Sequence, residues 1–201
     1  MWRYAIVVVA ACGRVDFDAI AVPPGQGVTA SGLVAAGDAT SCAIRAGNAW
    51  CWGATGTTLQ PTPVELASPT GLVAIASGTF STCAIDAAGA VWCWGNNAAG
   101  ELGDGSRAPS SVAVQVSLPA PAVDITVGGI HACAVLADTS LWCWGGNGDH
   151  EVDPDDTSSE TSPVHVLDGA AHVSAGEHHS CAVKTDRSVW CWGQAGGQIG
   201  P

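Results

Sequence analysis

Short runs of alternating side chains, broken by glycine-rich segments, recur along the chain from about residue 31 onward. In one copy, Ser81-Thr82-Cys83-Ala84-Ile85 is followed, after Ala87-Ala88-Gly89, by Val91-Trp92-Cys93-Trp94-Gly95. The tetrapeptide Trp-Cys-Trp-Gly occurs at Trp50–Gly53, Trp92–Gly95, Trp142–Gly145 and Trp190–Gly193. A cysteine precedes each copy, at Cys42, Cys83, Cys133 and Cys181, and a glycine stands five residues before each of those, at Gly37, Gly78, Gly128 and Gly176. These first cysteines are 41, 50 and 48 residues apart, a period typical of propeller blades and solenoid repeats. Strand-like segments (Pro63–Leu66, Val112–Val116 and Pro163–Val166) lie between the copies, and almost nothing has a helical period. The pattern predicts an all-β chain of about four repeats, at 31–71, 72–121, 122–169 and an incomplete 170–201, each offering about four short strands.

Spacing within a repeat predicts a hairpin. With Cys83 opposite Cys93, Ile85 faces Val91, Asp86 faces Ala90, and Ala87-Ala88-Gly89 form the turn, with Gly89 at the left-handed position that closes it. The first repeat is one residue shorter, and Ala46-Gly47 then form the turn with Cys42 still opposite Cys51. Opposed side chains on neighbouring strands are close enough for a cross-strand disulfide. The expected pairs are Cys42–Cys51, Cys83–Cys93, Cys133–Cys143 and Cys181–Cys191. Zinc ligation and reduced, packed thiols are the alternatives. His131 and His179 precede repeat cysteines as His-x-Cys, but Thr40 and Ser81 hold the same position in the first two repeats and cannot replace an imidazole. Because side chains alternate along a strand, both tryptophans of each motif point away from the cysteine between them. Trp50 and Trp52 then lie opposite Ala43 and Ser41, and large against small predicts stacked sheets with tryptophan filling the wedge. A stacking platform for a sugar is the functional alternative.

Composition narrows the classes. The 201 residues include 26 Gly, 9 Cys and 9 Trp, with 6 Lys+Arg against 18 Asp+Glu and a formal net charge of −12. A chain whose one lysine is Lys184 lacks the basic surface that nucleic acid requires. Nine tryptophans argue against a disordered acidic tail. At the N-terminus, Arg3 precedes an uncharged stretch from Ala5 to Ala11 that is too short to span a bilayer and fits an export signal. Val9-Ala10-Ala11-Cys12 resembles the bacterial lipobox, which implies a signal peptide at 1–11, acylation of Cys12 and a lipid anchor in the outer membrane, with a plain signal peptide as the alternative. Residues 12–30, interrupted by Pro23-Pro24-Gly25, read as a tether. Export to an oxidising compartment favours the disulfide reading.

The second repeat continues through Trp94-Gly95-Asn96-Asn97 to Gly100-Glu101-Leu102-Gly103-Asp104-Gly105-Ser106. This resembles the regulator of chromosome condensation repeat, with Trp-Gly-x-Asn followed by Gly-Gln-Leu-Gly-Asp-Gly-Thr. The resemblance covers about residues 31–201. It implies propeller-type blades of four antiparallel strands, seven in the usual closed ring, and the added cysteine pairs look like an exported bacterial branch. Three departures stand out: His150-Glu151-Val152-Asp153 replaces the glycine-rich element in repeat three, repeat one is shortened, and repeat four reads Gly197-Gln198-Ile199-Gly200 before Pro201. Four motifs do not close a seven-bladed ring, so the expectation is a truncated frame, an open arc, or self-association that completes a ring.

No motif places a catalytic nucleophile, and no cofactor is expected. The acidic run Asp149, Glu151, Asp153, Asp155, Asp156 and Glu160 is a weak calcium candidate beside the simpler reading of a solvated loop. The preferred function is a non-catalytic scaffold that presents loops to a protein partner in the periplasm or at the cell surface. The family includes exchange factors and extracellular enzyme inhibitors, which supports that class in kind. Alternatives are an exported glycan binder or propeller hydrolase, and a non-functional fragment. A sialidase-like site would need convergent arginines, and Arg45, Arg107 and Arg187 have no spacing that gathers them.

Overall fold

A computed structural model describes residues 33–55 and 58–194; the expected signal peptide at 1–11, Cys12 with the expected tether to residue 30, and the stretch from Gly197 to Gly200 lie outside the described residues. Among the described residues there are fifteen strands and no helix, and hence no helix long and apolar enough to cross a membrane. Sheet one orders β1 (Val34–Ala36), β2 (Thr40–Arg45), β3 (Asn48–Thr55) and β4 (Thr58–Glu65) in sequence. Sheet two repeats this with β5 (Leu72–Ser77), β6 (Ser81–Asp86), β7 (Val91–Gly95) and β8 (Ser110–Gln115). Sheet three has β9 (Ala122–Val127), β10 (His131–Leu136), β11 (Leu141–Gly145) and β12 (Glu160–Leu167). Sheet four has β13 (Ala170–Ala175), β14 (His179–Lys184) and β15 (Val189–Gly193). All pairings are antiparallel.

The central hairpins carry the register that turn arithmetic predicts. Ile85 pairs with Val91 and Cys83 with Cys93, and Gly89 has φ 81°. In sheet one the turn residues Ala46 and Gly47 both have positive φ (51° and 79°), as a two-residue hairpin loop that follows strand twist requires. Sheets three and four depart from glycine at the closing position: Thr139 (φ 69°) and Arg187 (φ 73°) occupy it. Each of these turns is held from within. Asp138 Oδ1 accepts from the Ser140 N–H at 3.0 Å and hydroxyl at 2.6 Å, and Asp186 Oδ1 does the same with Ser188 at 2.8 and 2.6 Å. Hydrogen bonds first from the serine hydroxyl and then from its N–H hold both carboxyls below the usual carboxylate range.

Successive sheets pack through their first two strands. β5 lies against β1 and β2, β9 against β5 and β6, and β13 against β9 and β10, so among the described residues the four sheets form a row that does not close. The glycines that precede each first cysteine explain how they come so near. A Cβ on Gly37 would strike the Gly78 carbonyl, one on Gly78 the Gly128 carbonyl, and one on Gly128 the Gly176 carbonyl. These positions need space and not a left-handed backbone, since none of the four has positive φ. Three apolar clusters fill the three junctions, and each draws residues from two adjacent sheets.

Candidate functional site: the junctions between sheets

Each junction joins a disulfide face to a tryptophan. Cys42 is bonded to Cys51, Cys83 to Cys93, Cys133 to Cys143 and Cys181 to Cys191, with Cα atoms 4.0–4.1 Å apart. The first of these bridges packs in one cluster with Trp94 of sheet two, the second with Trp144 of sheet three, and the third with Trp192 of sheet four. Because the two tryptophans share a face, the sequence alone treats them as a pair. In three dimensions they separate. In sheets two to four the second indole is buried between sheets, where Trp144 Nε1 donates to the Glu101 carbonyl (3.0 Å) and Trp192 Nε1 to the Glu151 carbonyl (2.8 Å). The first is tied to its own hairpin turn: Trp92 Nε1 donates to Asp86 Oδ2, Trp142 Nε1 to Ser140 Oγ and Trp190 Nε1 to Ser188 Oγ, at 3.0–3.2 Å.

The carbonyls that receive the buried indoles belong to two equivalent loops. In sheet two, Asn97 is fully buried; its Oδ1 accepts from the Leu102 N–H and its Nδ2 donates to the Ser106 and Ala108 carbonyls. In sheet three, Asn147 Oδ1 accepts from the Val152 N–H and its Nδ2 donates to the Asp153 and Asp156 carbonyls. His150, at φ 63°, takes the left-handed place of Gly100 at φ 91°. The segment from His150 to Asp153, a departure by residue type, therefore has the architecture of the glycine-rich element. Glu151 corresponds to Glu101, and both are buried. A motif comparison that aligned Asn97 with Asn147 could have found this.

Across the third junction runs a buried polar chain. His131 Nε2 lies 2.8 Å from Ser180 Oγ, which donates to the Glu151 carbonyl at 3.1 Å. With the serine proton committed to that carbonyl, the imidazole carries its proton on Nε2, and buried Nδ1 has no partner among the described residues. Burial, followed by the nearby His179 and His178, pushes the His131 pKa down to about 4. His179 lies over Gly176, whose missing side chain makes room for its ring.

The six carboxylates of the acidic run do not converge on one site among the described residues. Glu151 Oε2 accepts from the Asp149 N–H at 2.8 Å. Asp153 Oδ1 accepts from the Asp155 N–H, and Asp156 Oδ1 from the Thr157 and Ser158 N–H groups, so these two carboxylates cap their own loop. Of the six, only Asp149 and Glu151 share a donor cluster among the described residues, and their third member is His178. The arginines are apart as well. Arg45 and Arg187 sit at the hairpin turns of sheets one and four, and Arg107 donates to the Ala98 carbonyl at 2.8 Å. An open cleft of about 650 Å³ lies between sheets one and two, lined in part by exposed Val64, Phe80 and Val112.

Models of the regulator of chromosome condensation (RCC1) repeat match residues 72–101, 88–135 and 170–196. Residues 72–135 and 170–196 thus resemble RCC1 repeats. The four sheets resemble the blades of an RCC1 propeller, and the Gly, Cys and Trp positions above make the contacts between them. Among solved structures, yeast RCC1 (Prp20), crystallised with Kap60 bound, is similar at 26% identity and a TM-score of 0.69, over 81% of this chain and 42% of that one. Human WBSCR16 is similar at 18% identity and a TM-score of 0.71, over 80% and 46%. The ectodomain of the receptor kinase CR4 from Physcomitrella patens is similar at 22% identity and a TM-score of 0.54, over 80% and 40%. The chain thus spans less than half the length of each of these three. No curated protein matches it.

Proposed function

We propose that this protein is a non-catalytic interaction scaffold, exported and held at the outer membrane through acylated Cys12, whose row of blades docks on a second copy of itself. The carrying observation is a face of the fourth blade that is open among the described residues. Val183 and Val189 pair beside its disulfide and are 39% and 65% exposed, while the corresponding Ile85 and Val91 are 3% and 1% exposed, and Val135 and Leu141 1% and 0%. At every inner junction such a face receives a tryptophan face. The first blade offers one, with Trp50 and Trp52 half-buried opposite Ala43 and Ser41. A head-to-tail pair of rows would continue the packing already present three times within the chain. Four disulfides fit an oxidising compartment, in line with the export signal. Protein binding has a precedent in the yeast relative that binds Kap60.

Sedimentation velocity across a concentration series tests the docking face. Association is expected for the wild type and should be lost in Val189→Asp with the far-UV spectrum unchanged. A wild type that stays monomeric throughout, or a variant that associates equally well, refutes self-docking. For the anchor, Cys12→Ala should move the protein from the membrane to the soluble fraction, and unchanged fractionation refutes acylation.

A further inference from the structure

The junction between the third and fourth blades differs from its neighbour at three positions. Asp149 corresponds to Ala99, since both residues donate their N–H to the buried glutamate of the loop (Glu151 Oε2 at 2.8 Å, Glu101 Oε2 at 2.7 Å). His178 stands one residue before β14, as Ile130 stands one residue before β10. Gly146 replaces Asn96, whose side chain donates to Glu101 Oε1 at 2.8 Å. Thus Glu151 keeps the buried position of Glu101 and loses the donor to its second oxygen. That oxygen faces an imidazole: His178 Nδ1 is 3.6 Å from Glu151 Oε1 and 3.4 Å from Asp149 Oδ2. Although the ring is 40% exposed, its Nδ1 is buried and has no hydrogen-bond partner among the described residues.

We infer that Asp149, Glu151 and His178 form a binding site for a divalent transition metal of the zinc class, bridging the third and fourth blades. The three donor atoms lie within 4.8 Å of one another. Tetrahedral ligands at about 2.0–2.1 Å from zinc stand roughly 3.3 Å apart, close to the two distances measured from His178. Those distances are long for hydrogen bonds and suit an ion placed between the groups. One neutral imidazole nitrogen with two carboxylate oxygens is a borderline donor set, unlike the six to eight oxygens that calcium takes. Binding through Nδ1 leaves the proton on Nε2, on the side of exposed Glu177, whose Oε1 is 3.6 Å away. A fourth position remains open toward solvent for water. The site draws its ligands from two blades, so the ion would fasten a junction that lacks the Asn96 type of internal bond.

Titration of the whole protein with zinc chloride against a chromophoric chelator tests the site. One zinc per chain is expected. His178→Ile and Asp149→Ala install the residues that the preceding junction uses, so the fold should tolerate them. Each should weaken zinc by more than the roughly 10–100-fold that loss of an outer partner costs, while His165→Gln should leave it unchanged. Zinc should raise the melting temperature of the wild type and not of His178→Ile, and excess calcium should not displace it. Absence of stoichiometric zinc, equal binding by His178→Ile, or equally effective calcium would overturn the assignment.

Discussion

The second and third junctions of the row are built on one frame and finished differently. Both have the glycine contact, a disulfide face and a buried indole that donates to the carbonyl of a buried glutamate. Between blades two and three the surrounding positions are Asn96, Ala99 and Ile130, and the glutamate is satisfied within its own loop. Between blades three and four they are Gly146, Asp149 and His178, and a His131–Ser180 chain crosses the interface. Close backbone approach and the indole fix the geometry, which leaves the rim free to take up charge and ligand chemistry.

If the frame is common, its loss should cost the same at both junctions. Gly78→Ala and Gly128→Ala would each drive a Cβ into a backbone carbonyl, and each is expected to destabilise by roughly 3 kcal/mol in denaturant titration. A mild effect at only one of them would break the equivalence. The polar chain should separate the junctions by pH. Folded His131 stays neutral down to about 4, whereas the unfolded imidazole titrates near 6.5. Between those values the unfolded chain binds the extra proton. The contribution is therefore complete above pH 6.5 and lost as pH falls toward 4, at up to about 1.4 kcal/mol per pH unit. His131→Ser, the residue of the second blade at Ser81, should flatten the stability–pH curve in that window.

Smaller differences follow from the indoles. Trp144→Phe strips the Glu101 carbonyl of its indole donor and is expected to cost about 1–3 kcal/mol beyond the change in packing. Trp192→Phe should cost less, because Ser180 still donates to the Glu151 carbonyl. Equal losses by calorimetry would mean that Ser180 contributes nothing there. Least of all, Thr139→Gly and Arg187→Gly should stabilise by up to about 1 kcal/mol, since a left-handed non-glycine residue is strained by more than glycine loses in entropy. A drop in melting temperature would show that the aspartate–serine turns depend on the larger side chains.

Hairpin register was readable from residues because cysteine spacing and turn length change together, as the one-residue contraction at Ala46-Gly47 shows. The Gly-x4-Cys recurrence was equally visible, but its cause, a carbonyl of the next blade, belongs to packing between distant segments. Alternation put Trp142 and Trp144 on one face and could not separate their roles, which depend on depth toward the neighbouring blade. The acidic run was the hardest to read. Charge density groups Glu151 with Asp153 and Asp156, whereas the fold buries Glu151 beneath a histidine 27 residues further on and turns the other two into loop caps.

Each disulfide joins partners only nine or ten residues apart, within a single hairpin. Eight cysteines can be joined in pairs in about a hundred ways, yet a ten-residue loop closes in roughly 10–100 ns, far faster than thiol exchange. A chain that emerges N-terminus first presents Cys42 and Cys51 to each other well before Cys83 arrives. Correct oxidation then needs neither the finished row nor a search among distant thiols. A blade can be gained, lost or exchanged during evolution without scrambling the covalent connectivity of the others.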